Sequence, residues 1–443
     1  MRSAIFLSLT VLVLLAVTLE AQAAPLTFSN TPLIVPDGSS EPAIAFDNDG
    51  NMALTGLSWL TFGTNFWTGS FGTTPTFQGQ IDMALQQPGK RVFGGGDADV
   101  DIGSTGTLHA STLIFIVNAT FKGFQLGVSA ISCPNGATSF KLSNCTSEII
   151  DLAGDDRQWI TSNGSQVWIS YHDAKNSSLI RVQRSDDDGL TWKRVGDPIV
   201  GQGGTTAGAT FNNTQGKIVA DRSTGNLYAV YVEGVPGILK AKTTTFNHVI
   251  VSRSTNGGKS WTASLVYQDP RLVDLGNVFP ALAVDPITGK LYAAWSDAHN
   301  TFFASSSDHG STWSAAKVVN VAPADTTVFP NVAAYNGAVD VVYYGTMASS
   351  DRDPSAVWNT YLAETTDDGA SFTQNKVSNT SNHVGVICTN GTGCAPGTRN
   401  LLDLFEVAID PQNGRAGVIY TDDTLTKDSS GNPLPQVVLA QQK

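Results

Sequence analysis

Carboxylate and guanidinium side chains recur beside the ends of the predicted strands. A carboxyl group can exchange a proton with a substrate, and the planar donor fork of an arginine matches a carboxylate ligand. If one rim of the fold gathered these side chains, that rim could bind a polar ligand and act on it chemically. The alternative interpretation is that the loops of an acidic protein are simply polar. The residues concerned are Asp156, Arg157, Asp173, Arg352, Arg399, Asp403 and Glu406.

A short repeat indicates which elements position these groups. Four segments share the template Ser/Thr, any residue, Asp/Asn, any residue, Gly, any residue, Ser/Thr, aromatic, and a decayed copy at 132–140 keeps Gly136 and Thr138. In a tight turn between strands, the Asp or Asn accepts backbone N–H bonds, the glycine takes a positive φ and the aromatic ring packs against the sheet. We therefore expect these residues to hold the fold and to take no direct part in catalysis. The four segments are 185–192, 254–261, 306–313 and 365–372.

These segments resemble the Asp-box, or bacterial neuraminidase repeat, of the sialidase superfamily. A second pattern precedes them, in which two apolar strands are joined by a turn with glycine, as in 279–285 and 291–295. Such pairs are typical of antiparallel hairpins. The resemblance implies an all-β fold, a single β-propeller of four-stranded antiparallel blades. Seven pairs can be marked, so we predict seven blades, with six as the alternative, and a strand within 26–35 would complete the last blade.

The topology of a blade turns sequence position into location. Its strands run a, b, c and d from the centre to the rim, so the a–b and c–d turns lie on one face and the b–c and d–a connections on the other. The repeats are predicted c–d turns. The carboxylates and arginines named above precede a strand a or follow a strand b, so we expect them on the opposite face, over the central axis.

The resemblance to sialidases implies how such a rim would be used. Enzymes of that family hold the carboxylate of the sugar with three arginines, and they use a tyrosine nucleophile activated by a Glu, with an Asp as acid and base. The candidates are Arg157, Arg352 and Arg399 for the clamp, with Arg271 in reserve, Tyr343 or Tyr344 for the nucleophile, Glu406 or Glu233 for its activation, Asp156 or Asp173 for the acid, and Asp173 and Asp403 for further substrate contacts.

One departure from the family pattern keeps a second function open. The Phe/Tyr-Arg-Ile-Pro motif that sialidases carry before the first blade is replaced here by Glu41-Pro42. Each candidate residue therefore rests on topology and not on a motif match. We expect a monomeric propeller that acts on or recognises extracellular glycans or glycoproteins, with a sialidase-type exo-glycosidase as the candidate enzyme. A propeller that binds carbohydrate or protein without turnover is the alternative, because a fold does not dictate an activity.

The N-terminal segment predicts export. Residues 1–23 combine Arg2, an apolar stretch too short to span a membrane, and the small-residue ending Ala21-Gln22-Ala23. We interpret 1–23 as a signal peptide and 24–443 as one sialidase-like Asp-box propeller domain, secreted or periplasmic and without a membrane span. In an exported chain, four cysteines favour disulfides. The pairs that close short polar loops are Cys133 with Cys145 and Cys388 with Cys394, among three possible connectivities.

Charge and spacing bear on other ligands. The formal charge is −12, and the 26 Lys and Arg residues are scattered, which argues against a nucleic-acid partner. No Cys-x-x-Cys spacing predicts zinc, and no cofactor is expected. Calcium is the open exception. Residues 97–101 begin like a calcium loop, but Leu108 stands where its bidentate Glu is expected, so a strand entry is the favoured interpretation and another acidic rim loop the alternative.

Overall fold

Seven antiparallel sheets follow one another along the described chain; each has four strands side by side, and one has a short fifth strand paired beside them. The computed structural model describes residues 25–86, 91–117, 124–152, 155–173, 179–199, 213–234, 246–271, 273–276 and 278–443. The sheets are arranged as the blades of a β-propeller, which confirms the predicted fold with seven blades in place of the six-bladed alternative. The predicted signal peptide, 1–23, lies outside the described residues. Within the described ranges, no helix has the length and apolar character needed to cross a membrane.

Each of the first six blades takes consecutive strands in the order a to d. In chain order the strands are β1 (Phe28–Leu33); β2 (Ser39–Phe46), β3 (Asn51–Ser58), β4 (Thr64–Ser70) and β5 (Thr76–Gln80) in blade 1; β6 (Arg91–Ile102), β7 (Leu108–Val117), β8 (Phe124–Cys133) and β9 (Thr146–Asp151) in blade 2; β10 (Asp155–Asn163), β11 (Gln166–Asp173), β12 (Ile180–Ser185) and β13 (Lys193–Arg194) in blade 3; β14 (Asn213–Ala220), β15 (Leu227–Gly234), β16 (Phe246–Ser254) and β17 (Thr262–Gln268) in blade 4; β18 (Ala281–Val284), β19 (Leu291–Ser296), β20 (Thr301–Ser306) and β21 (Lys317–Val318) in blade 5; β22 (Thr326–Tyr335), β23 (Ala338–Thr346), β24 (Val357–Thr365), β25 (Thr373–Lys376) and β26 (His383–Val384) in blade 6; and β27 (Glu406–Ile409), β28 (Ala416–Lys427) and β29 (Pro433–Gln442) in blade 7. Short 3-10 helices span Ile81–Leu85, Leu142–Asn144 and Gly391–Gly393.

The ring closes by pairing the two ends of the described chain. Strand β1 pairs antiparallel with β29, with Phe28 opposite Gln442 and Leu33 opposite Val437. The first strand therefore supplies the outer edge of blade 7, whose other three strands come last in the sequence. This is the closing strand predicted within 26–35.

The core lies between neighbouring blades. Each blade is covered on both sheet faces, so a central strand such as β15 is buried at every position, including Tyr228 and Tyr231. Trp295 packs against both Tyr267 and Phe302, with ring centroids 5.4 and 5.8 Å away. Burial on both faces explains why these strands are apolar almost throughout and show little of the period of two that a half-exposed strand shows.

The four repeats form the turns between strands c and d, and we call 185–192, 254–261, 306–313 and 365–372 the box turns. In the last of them, Asp367 accepts hydrogen bonds from the backbone N–H and the hydroxyl of Ser371, at 2.8 and 2.7 Å. Gly369 has φ of 84°. Phe372 packs edge-on against Phe303 of blade 5 at 5.1 Å. The turn is thus fixed both internally and against the neighbouring blade.

The box turns lie on the face that carries the a–b turns. Thr105, in the a–b turn of blade 2, donates to Asp188 of the first box turn at 3.2 Å. Lys290, in the a–b turn of blade 5, lies 2.5 Å from Asp368 of the last one. We call the other face, formed by the b–c and d–a connections, the cleft face.

Gly369→Ala tests the structural role of the box turns. A Cβ at this position would overlap the ring of Phe303, and the backbone φ is +84°. We expect an alanine to lower the free energy of unfolding by about 2–4 kcal/mol, the sum of backbone strain and overpacking. Gly337→Ala is the matched control, because φ there is +85° and a Cβ would meet nothing within 4 Å. Urea unfolding should show a loss of only about 1–2 kcal/mol for the control. Equal losses would show that the contact with Phe303 contributes nothing.

Candidate functional site

Local backbone irregularities aim two side chains at the cleft face. The pairing of strands a and b shifts register in five blades, and in blades 1 and 3 the shift lies between Ser40 and Ala43 and between Asp156 and Trp159. Inside these two bulges, Glu41 and Arg157 adopt φ of 47° and 57°. Such values are uncommon for residues other than glycine, and bulges often redirect a side chain beside a functional site. Nη1 of Arg157 lies 3.6 Å from Oε1 of Glu41.

Arg157 is the centre of an ionic cluster built from four regions of the chain. Its Nη1 lies 3.3 Å from Oδ1 of Asp97, and its Nε lies 4.0 Å from Oδ1 of Asp156. Arg157 and Arg399 both donate to Oδ2 of Asp403. The ring of Phe279 lies under the guanidinium, 4.5 Å from Cζ. We call this set the Arg157 cluster; its members are Glu41, Asp97, Asp156, Arg157, Arg399 and Asp403.

The cluster separates the pKa values of its carboxyl groups. Burial and the nearby Asp97 raise the pKa of Asp156 to about 6, although Arg157 opposes the rise. Burial also raises the pKa of Glu41 well above its usual range, with Asp97 adding to the effect and Arg157 opposing it. Burial acts in the same direction on Asp403, but the guanidiniums of Arg157 and Arg399 outweigh it and hold the pKa of that carboxyl below its usual range. One group is thus poised to give up a proton beside another that stays ionised.

Two cavities on the cleft face share Asp156 and Arg157 as a wall. The smaller, with a volume of about 200 Å³, is lined largely by polar groups and includes Asp403. The larger, about 510 Å³, is lined mainly by apolar side chains and has the charged cluster at one side. We call them the polar cavity and the apolar cavity. Further lining residues of the polar cavity include His172, Thr214, Gln215, Phe279 and Thr389.

A separate ion triad crosses the central channel. Nζ of Lys217 in blade 4 lies 3.1 Å from Asp99 of blade 2 and 2.8 Å from Glu406 of blade 7. The carboxylates also accept backbone N–H bonds from Ile160 of blade 3 and Ile44 of blade 1, at 2.8 and 3.1 Å. Glu406, a predicted catalytic residue, therefore ties blades together across the channel. We call Asp99, Lys217 and Glu406 the channel triad.

The structure places Tyr343 and Tyr344 away from both cavities, which corrects the expectation of a tyrosine nucleophile. Both side chains are fully buried between blades. The hydroxyl of Tyr343 donates to Gln374, and that of Tyr344 accepts from the backbone N–H of Thr421. Burial raises both pKa values strongly, the opposite of what an activated phenolate requires. They are packing residues.

Arg352 and Asp173 also lie outside the Arg157 cluster. Arg352 is exposed in the loop between β23 and β24, where its backbone N–H donates to Ser350. Asp173 is buried at the end of β11 and accepts two hydrogen bonds from Arg181, at 3.1 and 2.7 Å. Both residues are on the cleft face, as the topology predicted. The ion pair with Arg181 holds Asp173 away from the Arg157 cluster. Of the predicted set, the structure brings together Asp156, Arg157, Arg399 and Asp403.

Both predicted disulfides are present, and one of them belongs to the site. Cys133 pairs with Cys145, and Cys388 pairs with Cys394. The second closes a loop whose Thr389 and Gly391 line the polar cavity. That loop continues through Arg399 to Asp403. The disulfide therefore helps to position the segment that supplies Arg399, one of the two arginines of the cluster.

The acidic run at 97–101 serves ion pairs. Asp97 faces Arg157, Asp99 faces Lys217, and Asp101 lies 2.9 Å from Arg222. Among the described residues, no group of three or more His, Cys, Asp or Glu side chains is arranged to hold a metal ion. Residues 97–101 lie in the second half of β6, so they are part of a strand, although not its entry.

Sequence reasoning missed the apolar cavity. Its lining comes from the loop after β3, with Trp59 and Phe62, and from the β7–β8 hairpin, with Leu113 and Leu126. These segments are far apart in the sequence. Because each is apolar, the sequence does not distinguish its cavity-lining residues from those of a buried strand. In the structure β7 and β8 are ten residues each, against eight and seven for β3 and β4 of blade 1.

Comparison with known proteins shows the fold alone. No family model matches the sequence, and no curated relative matches it either. Solved structures of similar architecture include a protein of unknown function from Dyadobacter fermentans, with 11% identity over 94% of this chain and 98% of that one and a TM-score of 0.51. An α-L-arabinofuranosidase from Fusarium graminearum, in complex with an iminosugar inhibitor, has 12% identity over 78% and 99% and a TM-score of 0.50. A Trypanosoma rangeli sialidase has 13% identity over 92% and 55% and a TM-score of 0.42.

Proposed function

We propose that the protein is an exported glycoside hydrolase that cleaves a glycosidic bond held against Asp156 on the cleft face. The observation that carries this proposal is that Asp156 and Asp403 line one cavity while their pKa values are displaced in opposite directions. Glycoside hydrolases commonly use two carboxyl groups with well-separated pKa values, one as the acid and the other as the ionised group that stabilises positive charge. The side chain of Asp156 is 43% exposed, so a substrate can reach it.

The proposed reaction uses the two carboxyl groups differently. Protonated Asp156 donates its proton to the glycosidic oxygen as the bond to the sugar carbon breaks. Positive charge then develops on the sugar ring, and the ionised Asp403 stabilises it across the cavity. Water supplies a hydroxyl to the sugar carbon, and its remaining proton returns to Asp156. Arg157 and Arg399 hold Asp403 ionised and in place.

The charge balance of the Arg157 cluster favours a neutral sugar over a sialic acid. Its two guanidiniums already contact four carboxyl groups, and both donate to Asp403. An anionic sugar would need at least one of these guanidiniums to give up a carboxylate partner. The third expected clamp residue, Arg352, lies outside the cluster. We therefore propose a neutral glycan in place of the sialidase-type clamp, while assigning the propeller itself to the Asp-box superfamily on its box turns.

Two further observations support an exported glycan-active protein. The predicted signal peptide and the two disulfides are typical of chains that mature in an oxidising compartment. The arabinofuranosidase of similar fold was solved with an iminosugar inhibitor, so this architecture accommodates sugar-like ligands in another protein.

A glycan-binding protein without turnover is the second candidate. It is favoured by the complete pairing of Asp403, whose two oxygens accept three hydrogen bonds from Arg157 and Arg399. A carboxylate so fully engaged can stabilise a bound sugar by its charge without joining a reaction. The two candidates share the site and differ in whether the Asp156 proton is transferred.

Hydrolysis of a glycoside panel across pH separates the candidates. We expect turnover of neutral alkyl glycosides, whose leaving group needs the proton. Their kcat/KM should fall about tenfold per pH unit above about 6, because Asp156 acts only when protonated, and should stay level below that value down to the pH at which Asp403 takes up a proton. The charged and titratable groups around Asp156 are Asp97, Arg157 and Asp403, together with His172, which lies opposite Asp156 on β11 and lines the same cavity. Binding without turnover would favour the second candidate. Turnover confined to sialosides would contradict the neutral-sugar proposal. If the protein neither binds nor cleaves any glycoside of the panel, the glycan site is refuted.

A further inference from the structure

We infer that the apolar cavity is an aglycone subsite, so that the substrate is a terminal neutral sugar linked to an apolar group. The inference rests on the proposed function, because it takes Asp156 as the point where the glycosidic bond lies. It adds a substrate class that neither the sequence resemblance nor the fold likeness supplies. The evidence comes from the lining, the size and the relative position of the two cavities.

The lining of the apolar cavity offers few hydrogen-bond partners away from the Arg157 cluster. Leu57, Leu113, Leu126 and Leu402 supply aliphatic surface, and Phe62 and Phe115 supply aromatic surface. Trp59 adds aromatic surface and one N–H donor. A second sugar placed there would lose water from most of its hydroxyl groups and gain few partners in return, which is unfavourable. An alkyl or aryl group loses no hydrogen bonds on entering and gains free energy from the apolar area it buries.

The sizes of the two cavities divide a glycoside into matching parts. The polar cavity, about 200 Å³, equals about seven water molecules in volume, which is enough for one monosaccharide. The apolar cavity, about 510 Å³, falls within the usual range for small-molecule sites. One cavity therefore suits the sugar, and the other suits a substantial group attached to it.

The position of Asp156 connects the two parts. Asp156 and Arg157 line both cavities, so a ligand that occupies both must cross this shared wall. The bond between sugar and aglycone is the part of the ligand that lies at the crossing. A proton donor at this point would meet the glycosidic oxygen, as the proposed reaction requires.

The inference is tested by the binding of alkyl glycosides of increasing chain length. The probes are methyl, butyl and hexyl 1-thioglycosides of common neutral hexoses and pentoses, which resist hydrolysis, with Kd measured by calorimetry on the full protein at pH 5. We expect Kd to fall by up to about fourfold per added methylene from methyl to hexyl, the limit set by full burial of each group. Leu126→Gln, which places an amide in the wall of the apolar cavity, should remove most of this dependence and leave the Kd of the methyl glycoside near its wild-type value.

Leu265→Gln is the matched control, because Leu265 is 42% exposed on β17 and lies in neither cavity. Its chain-length dependence should equal that of the wild type. If methyl and hexyl glycosides bind equally well, the aglycone subsite is refuted while the glycan site stands. The subsite is also refuted if longer chains bind more tightly but Leu126→Gln changes nothing, since the chain then lies elsewhere. If no glycoside binds at any length, the proposed function and this inference fail together.

Discussion

Asp156→Asn is expected to lower kcat/KM for a neutral glycoside by about 10²- to 10⁴-fold, the usual contribution of a positioned general acid. Asparagine keeps the size and polarity of the side chain but cannot release a proton to the leaving oxygen. Because this side chain is 43% exposed and forms no short ion pair, the fold should be retained. Circular dichroism and urea unfolding of the variant would verify this.

The leaving group gives this experiment a second readout. A nitrophenolate departs without protonation, whereas an alkoxide does not, so Asp156→Asn should impair alkyl glycosides far more than 4-nitrophenyl glycosides. Asp353→Asn is the control, because Asp353 lies in the β23–β24 loop of the cleft face outside both cavities. We expect it to leave kcat/KM unchanged. An equal loss for both leaving groups would mean that Asp156 positions the substrate and does not donate the proton.

Lys217→Met is expected to lower the free energy of unfolding by about 3–5 kcal/mol at pH 8, the cost of removing one partner from a buried ionic group. The substitution leaves Asp99 and Glu406, both fully enclosed in the channel, without their shared cation. The matched control is Lys193→Met, whose ion pair with Asp186 is exposed, and there we expect a change of at most about 1 kcal/mol.

The pH dependence of the Lys217 variant follows from Asp99. Burial raises the pKa of Asp99 to about 7 even with Lys217 beside it, and removing the cation raises it further. When a carboxyl group has a higher pKa in the folded than in the unfolded state, the free energy of unfolding falls as pH rises. The stability lost in Lys217→Met should therefore become smaller from pH 8 to pH 5. Adding Asp99→Asn and Glu406→Gln should restore most of the stability, since both amides can still accept the N–H bonds of Ile160 and Ile44. A deficit that is unchanged by pH and by these additions would refute the ionic explanation.

Local chemistry explains which features the sequence could predict. The box turns are encoded within eight residues each, since Asp367 and Gly369 form the turn with their immediate neighbours. The two disulfides close loops of 12 and 6 residues, so their pairing also follows from local spacing. Closure of the ring by β1 followed from counting the strands left without a blade. The box turns and the disulfides required no knowledge of how distant segments meet, and ring closure required only the strand count.

The active groups depend on such distant meetings. Arg157 and Arg352 both lie on the cleft face, yet only Arg157 sits in a β-bulge that turns its side chain toward Glu41 and Asp97. Tyr343 and Tyr344 point to opposite sheet faces, and both faces are covered by neighbouring blades, so neither can reach the cleft. A one-residue shift in the pairing of β10 with β11 would have turned the Arg157 side chain to the other face, and the sequence alone does not specify the bulge that sets this pairing.

The most direct test of the account is a crystal structure of Asp156→Asn with a hexyl glycoside that the wild type binds or cleaves. The account predicts the sugar in the polar cavity, its glycosidic oxygen within about 3.2 Å of the amide that replaces the Asp156 carboxyl, a hydrogen-bond distance. The hexyl chain should extend between Phe62 and Leu126. A sugar bound at the channel mouth beside the box turns, or at the outer rim of the blades, would contradict it.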